Sequence, residues 1–272
     1  MTTTRTLPRR LAGIVEQLEL EQPRVVTMAE LTRMAIQTGA STNQAEAAKL
    51  AYWLQHLGWL GSVRTRNVWE FNPGSRAGAY GSGDRFIEFR AQLAADPDWP
   101  GVLAMESAAS VLGLAQHLPN REVVALPAGT ARPKALSNWR RVSVDLPPQG
   151  RDVTDDLPHW NLDGLLAGVA RKPSGYADLA GLGQWLPDAG GRLHASDIMA
   201  CLDGAPTPAW QRAAYLARIA GAEGVANQLL QTRPPTNPAW FGPTRTAGAS
   251  YDAAAKVLDA DLAPYLDGGT GA

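Results

Sequence analysis

The chain has 272 residues, 45% of them apolar, and a formal net charge of −1. This composition excludes a disordered or fibrous protein and is enough for two ordinary hydrophobic cores. The charge is uneven, because residues 1–76 carry +3 and the remainder carries −4. We therefore expect two domains, of which the first is weakly basic.

The single cysteine, Cys201, excludes an intrachain disulfide and a cysteine-based zinc cluster, and it favours a reducing compartment. The N-terminus has no apolar signal-peptide core, and no run approaches the roughly 20 apolar residues of a spanning helix. We expect a soluble, cytoplasmic protein with no membrane partner.

The first predicted helix spans residues 7–20, where apolar residues recur at three- and four-residue steps. Residues 24–27 form a short β-branched strand, and Thr27 with Glu30 gives the capping-box pattern that opens a second helix. This helix is expected to stop near Gly39. A turn this short before the next helix predicts a helix-turn-helix.

The third helix is predicted to begin at Ser41 or Thr42, with Gln44 completing the cap, and to end at Leu57. With Leu50 turned to the core, the opposite face carries small and hydrogen-bonding side chains. From this face and its first turn we expect DNA contacts by Ser41, Thr42, Gln44, Lys49 and Tyr52. Small residues admit the backbone to a major groove, glutamine pairs with adenine, and lysine reaches phosphate. The alternative is an ordinary solvated helix face.

Two alternating strands follow at residues 59–63 and 68–71, and they predict a hairpin wing. Arg64, Arg66 and Asn67 lie at its tip, where arginines beside DNA contact phosphates or enter a minor groove. The alternative is a charged tip that only aids solubility. An auxiliary basic arm is a further hypothesis, formed by Arg5, Arg9 and Arg10.

The predicted domains are a winged helix-turn-helix at residues 1–75, a linker rich in glycine and serine at 76–84, and a larger domain at 85–272. Helices are predicted in the larger domain at 86–93, 106–114, 160–169, 195–202 and 209–220, and strands at 122–126 and 140–144. This irregular order indicates α+β packing instead of a doubly wound sheet.

The larger domain has no recognisable catalytic arrangement. Its histidines are far apart in sequence, and no Gly-x-Ser-x-Gly elbow is present. Asp152, Asp155 and Asp156 are acidic neighbours, but the surrounding prolines favour a solvated loop over a metal site. We predict no enzyme activity, no cofactor and no metal.

One basic segment stands out in this acidic half, where Arg132, Lys134, Arg140 and Arg141 flank Trp139. Basic residues around an aromatic ring can hold nucleic acid or an acidic protein surface. The alternative is a strand edge whose arginines form salt bridges. We keep the four basic residues as a possible contact for nucleic acid or a protein partner.

Four stretches together resemble the antitoxins of AbiE-type abortive-infection toxin–antitoxin systems, especially the actinobacterial members. They are PRVVTMAELTRM, HLGWLGSVRTRNVWEFNPG, ESAASVLGLAQHLPNREVVALP and GAPTPAWQRAAYLARIAGAEGVANQLL. The resemblance implies a winged helix that represses its own operon at inverted repeats in double-stranded promoter DNA. It also implies a C-terminal domain that antagonises a nucleotidyltransferase-type toxin, directly or indirectly.

Two rival hypotheses remain open. The first is a stand-alone winged-helix transcriptional regulator whose second domain senses a ligand or mediates dimerisation. The second is a DNA-targeted nuclease that binds a metal through Asp152, Asp155 and Asp156.

Overall fold

The computed structural model describes residues 7–76 and 83–266, and it divides the chain into two compact units. The first unit comprises Met1–Trp99 together with Arg132–Ser137, which we call the returning segment. The second unit comprises Pro100–Ala131 and Asn138–Ala272. The predicted boundary therefore differs, because residues 85–99 and the returning segment belong to the first unit. Of the predicted linker, residues 77–82 lie outside the described residues.

The first unit has the element order of a winged helix, followed by one added helix. Its elements are α1 (Arg9–Glu21), β1 (Val25–Thr27), α2 (Met28–Gln37), α3 (Gln44–His56), β2 (Leu60–Ser62), β3 (Val68–Phe71) and α4 (Ile87–Ala95). The three strands form an antiparallel sheet in the order β1-β3-β2. In this sheet Val26 lies opposite Trp69, and Gly61 lies opposite Glu70.

The predicted capping box at the start of α2 is confirmed. Thr27 Oγ1 accepts a hydrogen bond from the Glu30 amide at 3.2 Å, and the Thr27 amide donates to Glu30 Oε2 at 2.7 Å. Gly39, just after α2, has φ 68°, and Gly58, just after α3, has φ 79°. Glycine adopts this left-handed backbone without a Cβ penalty, so both helices end where the chain must turn.

The start of α3 corrects the prediction. Asn43, and not Ser41 or Thr42, is the N-cap, because its side-chain oxygen accepts from the Glu46 amide at 3.0 Å. Glu46 completes the turn by accepting from the Thr42 amide at 3.1 Å. Gln44, which we expected to complete the cap, is the first helical residue.

The second unit contains six helices and eight strands among its described residues. They are β4 (Val102–Leu103), α5 (Met105–Val111), β5 (Val123–Ala125), β6 (Arg140–Val142), β7 (Arg151–Thr154), β8 (Leu157–Trp160), α6 (Leu162–Arg171), α7 (Leu179–Trp185), α8 (Ala195–Leu202), α9 (Thr207–Ile219), α10 (Glu223–Thr232), β9 (Ala239–Phe241), β10 (Ser250–Asp252) and β11 (Val257–Asp259). The mixed α+β class is confirmed.

A five-stranded mixed sheet has the strand order β6-β5-β4-β8-β7, and α5 and α6 pack against it. A three-stranded sheet in the order β10-β11-β9 follows, and α9 packs against it. Hydrogen bonds from two buried side chains of α9 stabilise this contact. Gln211 Nε2 donates to the Asn237 carbonyl at 2.8 Å, and the Tyr215 hydroxyl donates to Asp259 Oδ2 at 2.6 Å.

The region predicted as an acidic loop is instead the β7–β8 hairpin. Its turn residues, Asp155 and Asp156, have φ of 50° and 58°, the left-handed values that a tight hairpin turn requires. Trp160, predicted to begin a helix, ends β8 instead. β7 is an edge strand, and the Val153 amide donates to the neighbouring Asp152 Oδ1 at 2.7 Å.

Each unit has its own apolar core. In the first unit, α1, α2 and α3 bury leucines and alanines against the sheet, as the periodicity predicts. In the second, the core is built largely from α5, α6, α8 and α9 together with the five-stranded sheet. Among the described residues, no helix is both long enough and apolar enough to cross a membrane.

Candidate nucleic-acid interface

One face of α3 is buried and the opposite face is open to solvent. Ala47, Leu50, Ala51 and Leu54 are buried, as the helical wheel predicts. The exposed residues of the helix include Gln44, Ala45, Ala48, Lys49, Tyr52 and His56. The predicted contact residues Gln44, Lys49 and Tyr52 therefore share one accessible surface, while Gln55 is half-buried and donates to Ser62 Oγ at 3.2 Å.

Ser41 is a correction to the predicted interface. It is only 5% exposed, and its hydroxyl donates to the Asn43 carbonyl at 2.7 Å while accepting from the Asn43 amide at 3.2 Å. These bonds shape the turn that enters α3, so the hydroxyl serves the turn and not the exposed face. Thr42 is exposed beside it, and its hydroxyl accepts from the Asn43 side-chain amide at 3.2 Å.

An aromatic cluster on α3 was not predicted. Tyr52 stacks on His56 with ring centroids 6.2 Å apart, and Trp53 meets both rings edge-on. Tyr52 and Trp53 are 62% and 52% exposed. The i, i+1 and i+4 spacing of these residues was visible in the sequence, but the predicted exposed face did not include Trp53.

The wing presents its predicted residues to solvent. Arg64, Arg66 and Asn67 are all exposed at the tip between β2 and β3. Asn67 has φ 60°, a turn conformation that asparagine tolerates better than most residues. Its carbonyl accepts from the Met28 amide at 2.9 Å, so the tip is tied to the start of α2.

The predicted basic arm is not supported by the position of Arg10. The Arg10 guanidinium donates to the Ala40 carbonyl at 2.7 Å and lies 3.5 Å from Glu46 Oε2. It therefore braces α1 against the turn before α3. Arg9 is exposed on α1, and Arg5 lies outside the described residues.

The basic segment around Trp139 is divided between the two units. Arg132 and Lys134 belong to the first unit, whereas Arg140 and Arg141 belong to the second. Trp139, expected at the centre of the cluster, is only 3% exposed. Arg140 lies on the edge strand β6 and forms an ion pair with Glu106 at 2.9 Å. The alternative of a salt-bridged strand edge is the one that fits Arg140.

Glu106 is the centre of a buried polar network. It is 3% exposed, and its Oε1 accepts from Arg140 Nη1 at 2.9 Å, from the Asp178 amide at 3.3 Å and from the Ala177 amide. Arg140 also donates to the Gly175 carbonyl. A buried charge persists only when it is paired and hydrogen-bonded, so these bonds fix the chain around Gly175 to the start of α5.

The structure brings together three potential metal-ligating residues that the sequence spacing did not reveal. Ligand-type atoms of Asp163, His194 and Asp197 lie within 4.8 Å of one another. His194 Nδ1 is 3.0 Å from Asp163 Oδ2, and the His194 amide donates to Asp163 Oδ1 at 2.9 Å. These hydrogen bonds join the first turn of α6 to the start of α8 and account for the closeness of Asp163 and His194.

Burial and pairing shift the pKa values in this cluster. The hydrogen bond and the charge of Asp163 raise the pKa of His194, while burial raises the pKa of Asp163 itself. Burial, with the nearby Asp163 and Asp197, raises the pKa of the Cys201 thiol to about 11, so this cysteine stays protonated at neutral pH.

The acidic neighbours considered as a metal site in the sequence analysis lie elsewhere, on the β7–β8 hairpin. All three are exposed there: Asp152, Asp155 and Asp156.

Comparison with known proteins identifies the family of one part of the chain. Residues 101–219 match the family model of the AbiEi antitoxin C-terminal domain. The crystal structure of RV2827C protein from Mycobacterium tuberculosis is 23% identical, with a TM-score of 0.78, and the match covers 98% of this chain and 96% of that chain. At this identity the likeness shows the fold alone. No curated protein sequence matches the chain. Residues 101–219 therefore belong to the AbiEi antitoxin C-terminal domain family.

Proposed function

We propose that this protein is the antitoxin of a toxin–antitoxin system and represses its own promoter. The winged helix binds inverted repeats in double-stranded promoter DNA, and the second unit antagonises a nucleotidyltransferase-type toxin. The observation that carries the proposal is the presence, in one chain, of an antitoxin-family domain and a unit with winged-helix topology.

The exposed face of α3 supports a major-groove contact. Ala45 and Ala48 keep the face shallow, Gln44 offers a bidentate amide, and Lys49 offers a charge for phosphate. Exposed arginines at the wing tip add contacts that hold the protein on the duplex without reading its sequence. In this proposal, α3 selects the operator and the wing strengthens binding to any DNA.

Coexpression tests the antitoxin half of the proposal. The product of the adjacent gene is expressed alone, with the full chain, and with a control chain whose α3 contacts are removed by Gln44→Ala and Lys49→Ala. We expect growth arrest in the first case and rescue in the other two if neutralisation belongs to the second unit. A neighbour that is not toxic, or toxicity that persists undiminished, eliminates the antitoxin role.

Binding to the upstream promoter tests the repressor half. The full chain should bind a promoter fragment with inverted repeats more tightly than random DNA of equal length at the same salt concentration. Preferential binding without a toxic neighbour would select the stand-alone regulator instead. Equal binding to both DNAs would contradict autorepression at a specific operator.

A further inference from the structure

Helix α4 holds the tip of the wing. Both carboxylate oxygens of Glu88 accept from the Arg64 backbone amide, at 2.9 and 3.1 Å. Hairpin tips at a surface are ordinarily among the most mobile parts of a fold. Here an acidic side chain from a helix outside the winged-helix core fixes the residue that begins the tip.

The helix that carries Glu88 is itself firmly anchored. Phe89 is fully buried and meets the Trp99 ring edge-on at 5.4 Å. Arg90 forms an ion pair with Asp84 at 2.8 Å, and both side chains are more than nine-tenths buried. Asp84 Oδ1 also accepts from the Phe86 amide at 2.9 Å, just before the helix begins. Glu88 therefore projects from a rigid support.

The returning segment packs against α4 within the same unit. Leu136 in this segment is fully buried, and Ala135 is 6% exposed. In sequence, the segment lies inside residues 101–219, the stretch that matches the antitoxin family. Helix α4 thus contacts both the wing and a short piece of the antitoxin-family sequence.

We propose that α4 positions the wing for DNA, with Glu88 as the positioning residue, and that the returning segment makes this placement depend on the antitoxin-family stretch of the chain. The proposal rests on the proposed DNA-binding function. This role explains why an acidic side chain lies beside a wing that carries arginines. Glu88 holds the backbone of the wing, although its negative charge reduces the attraction of the wing for phosphate.

The test compares Glu88→Ala and Glu88→Gln with Glu16→Ala in the full chain. Glu16 is an exposed glutamate on α1, so its removal changes the net charge equally without releasing the wing. Removal of a negative charge alone should slightly strengthen DNA binding. We expect Glu88→Ala instead to weaken binding to promoter and random DNA by roughly fivefold to tenfold. The salt slope, which is the magnitude of the slope of log binding constant against log salt concentration, should fall by about one, as when one phosphate contact is lost. Glu88→Gln, which keeps one oxygen acceptor, should fall between.

Amide hydrogen exchange at Arg64 in the DNA-free protein gives a second readout. It should accelerate in Glu88→Ala, and to a smaller extent in Leu136→Ala and the milder Leu136→Val. Leu118→Ala, at a site 71% exposed, serves as the control and should leave the exchange rate at Arg64 unchanged.

Unchanged Arg64 exchange in Glu88→Ala, or DNA binding as tight as in Glu16→Ala, overturns the role of Glu88. Unchanged exchange in both Leu136 variants overturns the link to the returning segment. A wild-type chain that binds no DNA defeats the proposed function, while the exchange data still decide whether α4 holds the wing.

Discussion

The wing and the edge strand β6 use arginine in opposite ways. Arg64 and Arg66 are exposed residues of a hairpin tip, whereas the Arg140 side chain donates to a buried carboxylate and a backbone carbonyl. Both regions are basic in sequence. The difference shows that arginines with similar neighbours in sequence can have opposite surroundings in the fold.

The strongest test of this contrast removes the buried acid. Glu106→Ala leaves the Arg140 guanidinium and two backbone amides without their acceptor, so we expect it to lower the free energy of unfolding by about 3 kcal/mol. Urea unfolding measures the loss. Arg141→Ala, an exposed neighbour, is the matched control and should change stability by no more than about 0.5 kcal/mol. A Glu106→Ala cost as small as that of the control would show that the network does not stabilise the fold.

Substitutions in the wing and substitutions in α3 should affect DNA binding differently. Arg64→Ala or Arg66→Ala should weaken binding to all sequences and lower the salt slope by about one each. Gln44→Ala should instead reduce discrimination at one base pair, by about 1–3 kcal/mol, and Tyr52→Ala should also alter sequence preference. Titrations on promoter and random DNA at several salt concentrations measure both effects. Equal losses on the two DNAs for all four variants would contradict this division.

The cap of α3 provides a smaller test. Asn43→Ala removes the acceptor for the Glu46 amide and should cost about 1 kcal/mol of stability. Gln44→Ala, one residue later and exposed, should leave stability unchanged or raise it slightly, because alanine favours helix. Thermal unfolding of the two variants compares them. If both lose the same stability, the helix begins elsewhere.

The smallest effect concerns His194. Its raised pKa means that the folded chain binds the imidazole proton more tightly, so this contribution to stability is full below the ordinary value of 6.5 and is lost as pH rises through the folded pKa. The side chain is 67% exposed, so solvent keeps the contribution small. NMR titration should give a pKa above 6.5 that falls in Asp163→Asn and stays unchanged in Asp188→Asn. No fall in Asp163→Asn would eliminate Asp163 as the cause.

Local signals in the sequence were sufficient for most of the first unit. The Thr27 and Glu30 pattern predicted the start of α2 because both partners of the capping box lie within one turn. The cap of α3 was misplaced by one or two residues because several adjacent residues, among them Ser41, Thr42 and Asn43, are all good caps. Only the path of the turn, which buries Ser41, distinguishes them.

The second unit depends more on contacts distant in sequence. Pro158 within β8 and the acidic pair Asp155 and Asp156 concealed the β7–β8 hairpin, because proline and aspartate are depleted in strands. Asp163 and His194 are 31 residues apart, and Glu106 and Arg140 are 34 apart. No periodicity reports such pairs, so the sequence offered the salt-bridged strand edge only as one of two interpretations of the basic segment, without naming the acidic partner.

The hydrogen bond between the Val153 amide and Asp152 bears on how the protein behaves at high concentration. β7 closes one side of the five-stranded sheet, and exposed edge strands are templates on which other chains add strands and aggregate. With its amide already engaged by the neighbouring carboxylate, Val153 cannot donate to an incoming strand, even though its side chain is 62% exposed. Asp152 therefore opposes the addition of another strand at this position of the edge.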